Sequence, residues 1–166
     1  QTCALPILAK QKNLKFTIGY SQRFNPKYAY VRKALREGTI GRPVSVLVSR
    51  HITRSLDKKI SGRIKLSPAA MESTHDLDFV LWCLLPAKPV KVYSQVNYGA
   101  MRESTGADIP DTQWITVTMD NGLSFVVGGG WSLPPGYPNF SSTWIEFVGT
   151  EGALLVDDSH KDVILN

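Results

Sequence analysis

Residues 113–131 read QWITVTMDNGLSFVVGGGW, and this stretch decides the fold class. Ile115, Val117 and Met119 alternate with Thr116 and Thr118, a period of two that gives a strand one apolar and one hydroxyl-bearing face. Asp120-Asn121-Gly122 then supplies residues that tolerate positive φ, so the chain turns back and Leu123–Trp131 returns as a second strand. Gly128, Gly129 and Gly130 leave that return strand without side chains; this suits a bulge or a close backbone approach, and the bulge is the expected form.

Outward from this hairpin the same signals recur. Thr143–Val148 and Ala153–Val156 flank Gly149-Thr150-Glu151-Gly152 as another hairpin, Val90–Tyr98 and the valine-rich Pro43–Ile52 read as strands, and Asp162–Leu165 begins one more. Phe16, Ile18 and Tyr20 alternate over Lys15–Tyr20 as a short β-type run, the end of an αβ unit. Two helices interrupt the strands. Asn25-Pro26 supplies a cap and a first-turn proline for a helix over 26–37, with Tyr28, Val31 and Leu35 at helical spacing and Gly38 as its stop. Ser67-Pro68 starts a second, whose Leu77–Leu85 portion is apolar almost all round and is therefore expected to be buried. Residues 53–66 carry many bases and few apolar positions and read as loop. The expected class is α+β, a largely antiparallel open sheet with a buried helix on one face.

Charge is unevenly spread. Residues 1–66 hold 15 Lys and Arg against 2 acids, whereas residues 67–166 hold 4 bases against 12 acids, so +13 and −8 combine to the overall +5. A basic half could meet an anionic ligand or nucleic acid, or be ordinary solvated surface; no nucleic-acid-binding motif accompanies it, and nucleic acid is not expected as a partner. No apolar run approaches the roughly 20 residues that span a bilayer, and the amino end lacks a secretory pattern. A cytoplasmic protein with no membrane partner is expected. Cys3 and Cys83 have no metal-type spacing, so no metal site is assigned, and Cys83 reads as a core residue. Residues 1–7 resemble the translation of a sequencing adapter and read as a non-native leader.

Chemistry concentrates in Glu72-Ser73-Thr74-His75-Asp76-Leu77-Asp78, near the start of the apolar helix. Glu72, His75 and Asp78 fall three apart, on neighbouring positions of one face, where carboxylates can tune an imidazole for proton transfer near neutrality. The alternative is structural: Ser73 and Asp76 as a capping box, with His75 hydrogen-bonded in the core.

Four stretches occur here in one order: Gly19-Tyr20-Ser21-Gln22-Arg23-Phe24-Asn25-Pro26, Glu37-Gly38-x-x-Gly41, Glu72–Leu85 with its His-x-x-Asp, and Gly149-Thr150-x-Gly152. Together they resemble the Gfo/Idh/MocA family of oxidoreductases over most of residues 9–157. The resemblance implies an amino-terminal Rossmann domain, of which residues 8–24 are read as a remnant, and an α+β substrate domain over 25–166, truncated at its carboxy end. It further implies a homo-oligomer formed through the open sheet. His75 would take the proton of a secondary hydroxyl on a sugar, inositol or similar polyol as hydride passes to NAD or NADP, with Glu72 as its catalytic partner. Arg23, Asp78 and His51 are assigned as substrate contacts, and Arg50, which ends the same strand as His51, is read as able to line the same cleft. Many relatives carry an Asp where Met71 stands here, so a non-catalytic binding or oligomerisation module is the alternative. No G-x-G-x-x-G follows a strand, so cofactor contacts are expected in a preceding domain, and the chain alone is expected to be inactive and to expose a sheet edge.

Overall fold

The computed structural model describes residues 4–56 and 67–158. Six strands form one sheet: β1 (Pro43–Thr53), β2 (Pro89–Asn97), β3 (Thr112–Met119), β4 (Ser124–Leu133), β5 (Ser141–Gly149) and β6 (Ala153–Asp157). Their order is β2-β3-β4-β1-β5-β6, and every neighbouring pair is antiparallel except β1 with β4. The expected α+β class and both hairpins are therefore present. The β3–β4 turn is Asp120–Leu123, where Gly122 has φ +86° and Leu123 N–H donates to Asn121 Oδ1.

The period-two pattern sorts the sheet into faces. Val46, Val48, Ile115, Val117, Phe125, Val127, Ile145 and Phe147 are buried on the inner face. Two helices cover it, α2 (Pro26–Arg36) and α3 (Thr74–Cys83), which contribute Tyr28, Val31, Phe79, Val80 and Cys83. Phe79 is the pivot, wholly buried and set edge-on to Tyr28 at 4.8 Å and to Phe147 at 6.0 Å. Burying one such side chain contributes about 1.5–3 kcal/mol. The helix α2 begins as expected: Asn25 Oδ1 accepts from Lys27 N–H, and Pro26 occupies the first turn.

A smaller cluster, Ile52, Met101, Ile109 and fully buried Trp131, closes one end of the sheet, with Met71 packed against it. It is organised by a short helix, α4 (Ala100–Thr105), that the sequence reading did not anticipate. The Asp111 carboxylate accepts the N–H groups of Ala100 at 2.9 Å and Met101 at 2.7 Å, so the helix start is capped from beyond its own end.

Two expectations are corrected. Residues 15–20 lie extended after α1 (Ala4–Gln11) but join no strand of the sheet, and Phe16 and Ile18 are exposed. Alternation prepares a strand, but a strand exists only where a second backbone takes its hydrogen bonds. Gly128–Gly130 keep regular register with both β1 and β3, and the bulge falls later, between His51 and Thr53. The glycines answer a close approach instead: a Cβ on Gly129, whose φ is +134°, would lie 1.7 Å from the Arg50 carbonyl oxygen. The edge strand β2 is exposed on both faces through Val92 and Tyr93, and Trp144 and Leu155 are exposed on the face away from the helices. The strand expected at Asp162–Leu165 and the loop at 57–66 lie outside the described residues.

Candidate functional site

The segment leading into α3 is a π-turn, Ala69–Ser73, begun by Ser67, whose Oγ accepts the Ala70 N–H at 3.3 Å. Such wide turns recur at functional sites because they re-aim side chains. Here Glu72 leaves the π-turn and His75 the first turn of α3, and both line a cleft of about 400 Å³ with Ser21, Gln22, Asn25, Tyr28, Arg50 and Asp158. Four elements and two connecting segments meet there, so the cleft exists only in the folded chain.

His75 is half-buried, with the Tyr20 ring edge-on at 5.9 Å. Its Nδ1 is sealed from solvent and has no hydrogen-bond partner among the described residues, which leaves Nε2 as the nitrogen that can serve the cleft. Burial pushes the Glu72 carboxyl above its ordinary value, against the opposing pull of Arg50, His75 and Trp131. The Trp131 indole Nε1 lies near that carboxyl without the geometry of a full hydrogen bond.

Beneath the cleft is an ion pair. Arg50 donates from Nε to Asp76 Oδ2 at 2.8 Å and from Nη2 to Asp76 Oδ1 at 2.7 Å, and Gln22 Nε2 donates to the same Oδ1 at 2.9 Å. Asp76 is 0% exposed. Burial opposes the charge on Arg50, but the hydrogen bonds and charge of Asp76, helped by the Tyr28 hydroxyl, more than offset it and hold the guanidinium above its ordinary range. At the other wall, Asp158 pairs with Lys27 and faces the Tyr28 hydroxyl.

Of the residues singled out from sequence, His75 and Glu72 come together in the cleft. Arg23 and Asp78 do not line it: they pair with each other at 2.8 and 2.6 Å, and the Arg23 guanidinium sits 5.4 Å from the centre of the Trp82 ring. Asp78 is thus taken up by Arg23 and does not orient His75. His51 points to the open face of the sheet, where its Nδ1 bonds Ser132 Oγ at 2.7 Å and its ring meets Trp114 at 6.1 Å; burial lowers its pKa. The capping box is not formed, because Ser73 makes no cap bond and Asp76 serves Arg50 and Gln22. Arg50, read from sequence as able to line the cleft, does line it, but sequence reasoning missed its pairing with Asp76 and the place of Tyr28. The signal for Arg50 was parity: it shares the face of Val46 and Val48, so it points to the helices while His51 points away.

Among the described residues no group of His, Cys, Asp and Glu is disposed to hold a metal ion, and no helix is long and apolar enough to cross a membrane. Among the described residues a glycine leads from a strand into a helix at Gly99, between β2 and α4, where the Asp111 carboxylate already takes the N–H groups of Ala100 and Met101; the spaces beside Gly128, Gly129 and Gly130 are filled by Trp114, Arg50 and Asp111. The N–H groups that would face an anion at the start of α4 are thus already engaged.

Solved structures share this architecture. The chain is similar to the scyllo-inositol dehydrogenase of Lactobacillus casei with bound NAD(H) and scyllo-inositol, at 20% identity and TM-score 0.77 over 96% of this chain and 47% of that one. It is similar also to the myo-inositol 2-dehydrogenase of Lactobacillus plantarum, at 17% identity and TM-score 0.80 over 98% of this chain and 47% of that one. GenD2 from gentamicin A biosynthesis, in complex with NAD, matches at 16% identity and TM-score 0.74 over 90% of this chain and 41% of that one. The chain thus spans about half the length of the solved structures it matches. No curated protein sequence matches it. Residues 28–155 match the GFO/IDH/MocA C-terminal domain, and that match, covering most of the sheet and both helices over it, makes the chain a member of the Gfo/Idh/MocA family.

Proposed function

We propose that this chain is the substrate-binding part of an NAD(P)-dependent oxidoreductase that acts on a secondary hydroxyl of a sugar, inositol or similar polyol. The observation that carries the reading is His75 and Glu72 side by side in a cleft whose remaining wall includes the neutral hydrogen-bonding groups Ser21, Gln22, Asn25 and Tyr28. Such a wall suits a ligand with several hydroxyls, each needing a donor or acceptor partner. Support for the chemistry comes from the inositol dehydrogenases that share the fold.

In this reading His75 Nε2 accepts the hydroxyl proton as the carbinol carbon becomes a carbonyl, and Glu72, whose carboxyl burial pushes above its ordinary value, stands beside it in the cleft as its partner. Hydride acceptance is the chemistry that a nicotinamide dinucleotide supplies when bound. Residues 8–24 would join this domain to a preceding dinucleotide-binding domain. The open face of the sheet, with Trp144 and Leu155 uncovered, would meet a second copy.

The test is turnover by the intact protein with NAD or NADP and a panel of inositols and aldoses, read as formation of reduced nicotinamide. Absence of both turnover and cofactor affinity defeats the proposal. Two observations favour the second reading, a binding module without turnover: Met71 packs against the Trp131 cluster, and His75 Nδ1 has no acceptor among the described residues, so the N–H it carries whenever Nε2 is the accepting nitrogen is unsatisfied. Cofactor and polyol binding without turnover would decide for it.

A further inference from the structure

We propose that Asp76 is the positioning residue of the cleft, a buried carboxylate that touches no ligand and sets where Gln22, Arg50 and His75 stand. The inference rests on the reading of the cleft as a polyol site. Asp76 does not line the cleft, yet it is tied to half of the residues that do. It accepts hydrogen bonds from Gln22 and Arg50, reaches Tyr28 through Arg50 Nη2 at 3.5 Å, and is bonded through the backbone to His75. Those residues come from four places in the fold: the turn at Ser21–Phe24, α2, β1 and α3.

A buried ion pair is poor evidence for stability, because well-packed apolar residues of similar volume often serve as well. What apolar packing does not reproduce is direction. The bidentate pair fixes the guanidinium plane, and the Gln22 amide has its orientation set because its nitrogen, not its oxygen, must face Asp76. Asp76 also neutralises Arg50 beside the two groups that handle the proton. The charged and titratable groups around His75 are Glu72 and Asp76 on its own segment, Arg50 from β1, Tyr20 and Tyr28 from the segments before β1, and Asp158 after β6. Without the Asp76 charge, Arg50 acts on His75 and Glu72 uncompensated.

Two variants of the chain test this. In Asp76→Asn one oxygen of the bidentate pair becomes an NH2 donor, and the chain is expected to stay folded while its affinity for myo-inositol, read from the His75 ring resonances, falls by about fivefold or more. In the double variant Asp76→Leu with Arg50→Leu both charges are gone, and the chain is expected to keep its cooperative thermal unfolding. Its affinity for myo-inositol, read from the His75 ring resonances, is nonetheless expected to fall by about tenfold or more. If either variant, folded, binds myo-inositol as wild type does, Asp76 is a structural anchor only and the proposal is overturned. If Asp76→Asn does not fold, the double variant decides. The outcome is separable from the oxidoreductase reading, which is judged by turnover of the intact protein and not by the affinity of these variants.

Discussion

Replacing Gly129 with alanine probes the junction between the sheet and the cleft. Gly129 pairs with Arg50 in the parallel β1–β4 ladder at φ +134°, and an added Cβ would sit 1.7 Å from the Arg50 carbonyl oxygen, 1.3 Å inside the 3.0 Å that real contacts respect. Two costs add. A side chain in this region of φ costs about 1–3 kcal/mol. Retreat of β1 from β4 then weakens about two ladder hydrogen bonds at about 1 kcal/mol each. The expected loss is about 3–5 kcal/mol, a large part of the roughly 5–15 kcal/mol that holds a domain folded. Urea unfolding followed by tryptophan fluorescence measures it, because Trp131 is wholly buried. The control is Gly106→Ala, at φ +69° with nothing within 4 Å of the added carbon, where only the backbone cost of about 1–2 kcal/mol applies. Equal losses in the two variants would refute the steric reasoning.

Further outcomes concern charge and surface. His75→Ala is expected to lower kcat of the intact protein by about 10²–10⁴-fold, the usual worth of a positioned proton acceptor, and steady-state kinetics checks it. Glu72→Gln should raise the melting temperature at neutral pH while slowing turnover: the folded carboxyl has a raised pKa, so its stabilising contribution is present below 4.5 and is lost as pH rises through the folded value. His51 titrates with the opposite consequence. Its lowered folded pKa means that stability is full above 6.5 and declines as pH falls towards the folded value, and denaturation of His51→Gln at two pH values should show a shallower slope. Trp144→Glu, on the open face, should shift any self-association seen by sedimentation towards monomer.

Strands were legible wherever alternation met a turn signal, as in 112–133, because period and turn chemistry agree locally. The extended run 15–20 misled for the converse reason, since its alternation lacks the partner backbone that would make it a strand. The helix α4 was hidden because its cap is Asp111, placed by tertiary structure. In the site, His75 and Glu72 were visible as polar groups at the head of an apolar helix. Their neighbours were harder: Ser73 and Asp76 have the spacing of a capping box, and only the fold reveals that Arg50 claims that carboxylate. Arg23 and Asp78 both carry charges apt for substrate, and their mutual pairing across 55 residues is no local property.

The strand β1 faces two neighbourhoods at once. Arg50 points to the helices and His51, one peptide away, to the opposite side, while the contact at Gly129 leaves no slack between β1 and β4. A molecule leaning on the outer surface therefore presses on the same rail that carries the inner cation. Variation on the two sides is coupled, and a remodelled exterior must either keep that rail in place or retune the interior with it.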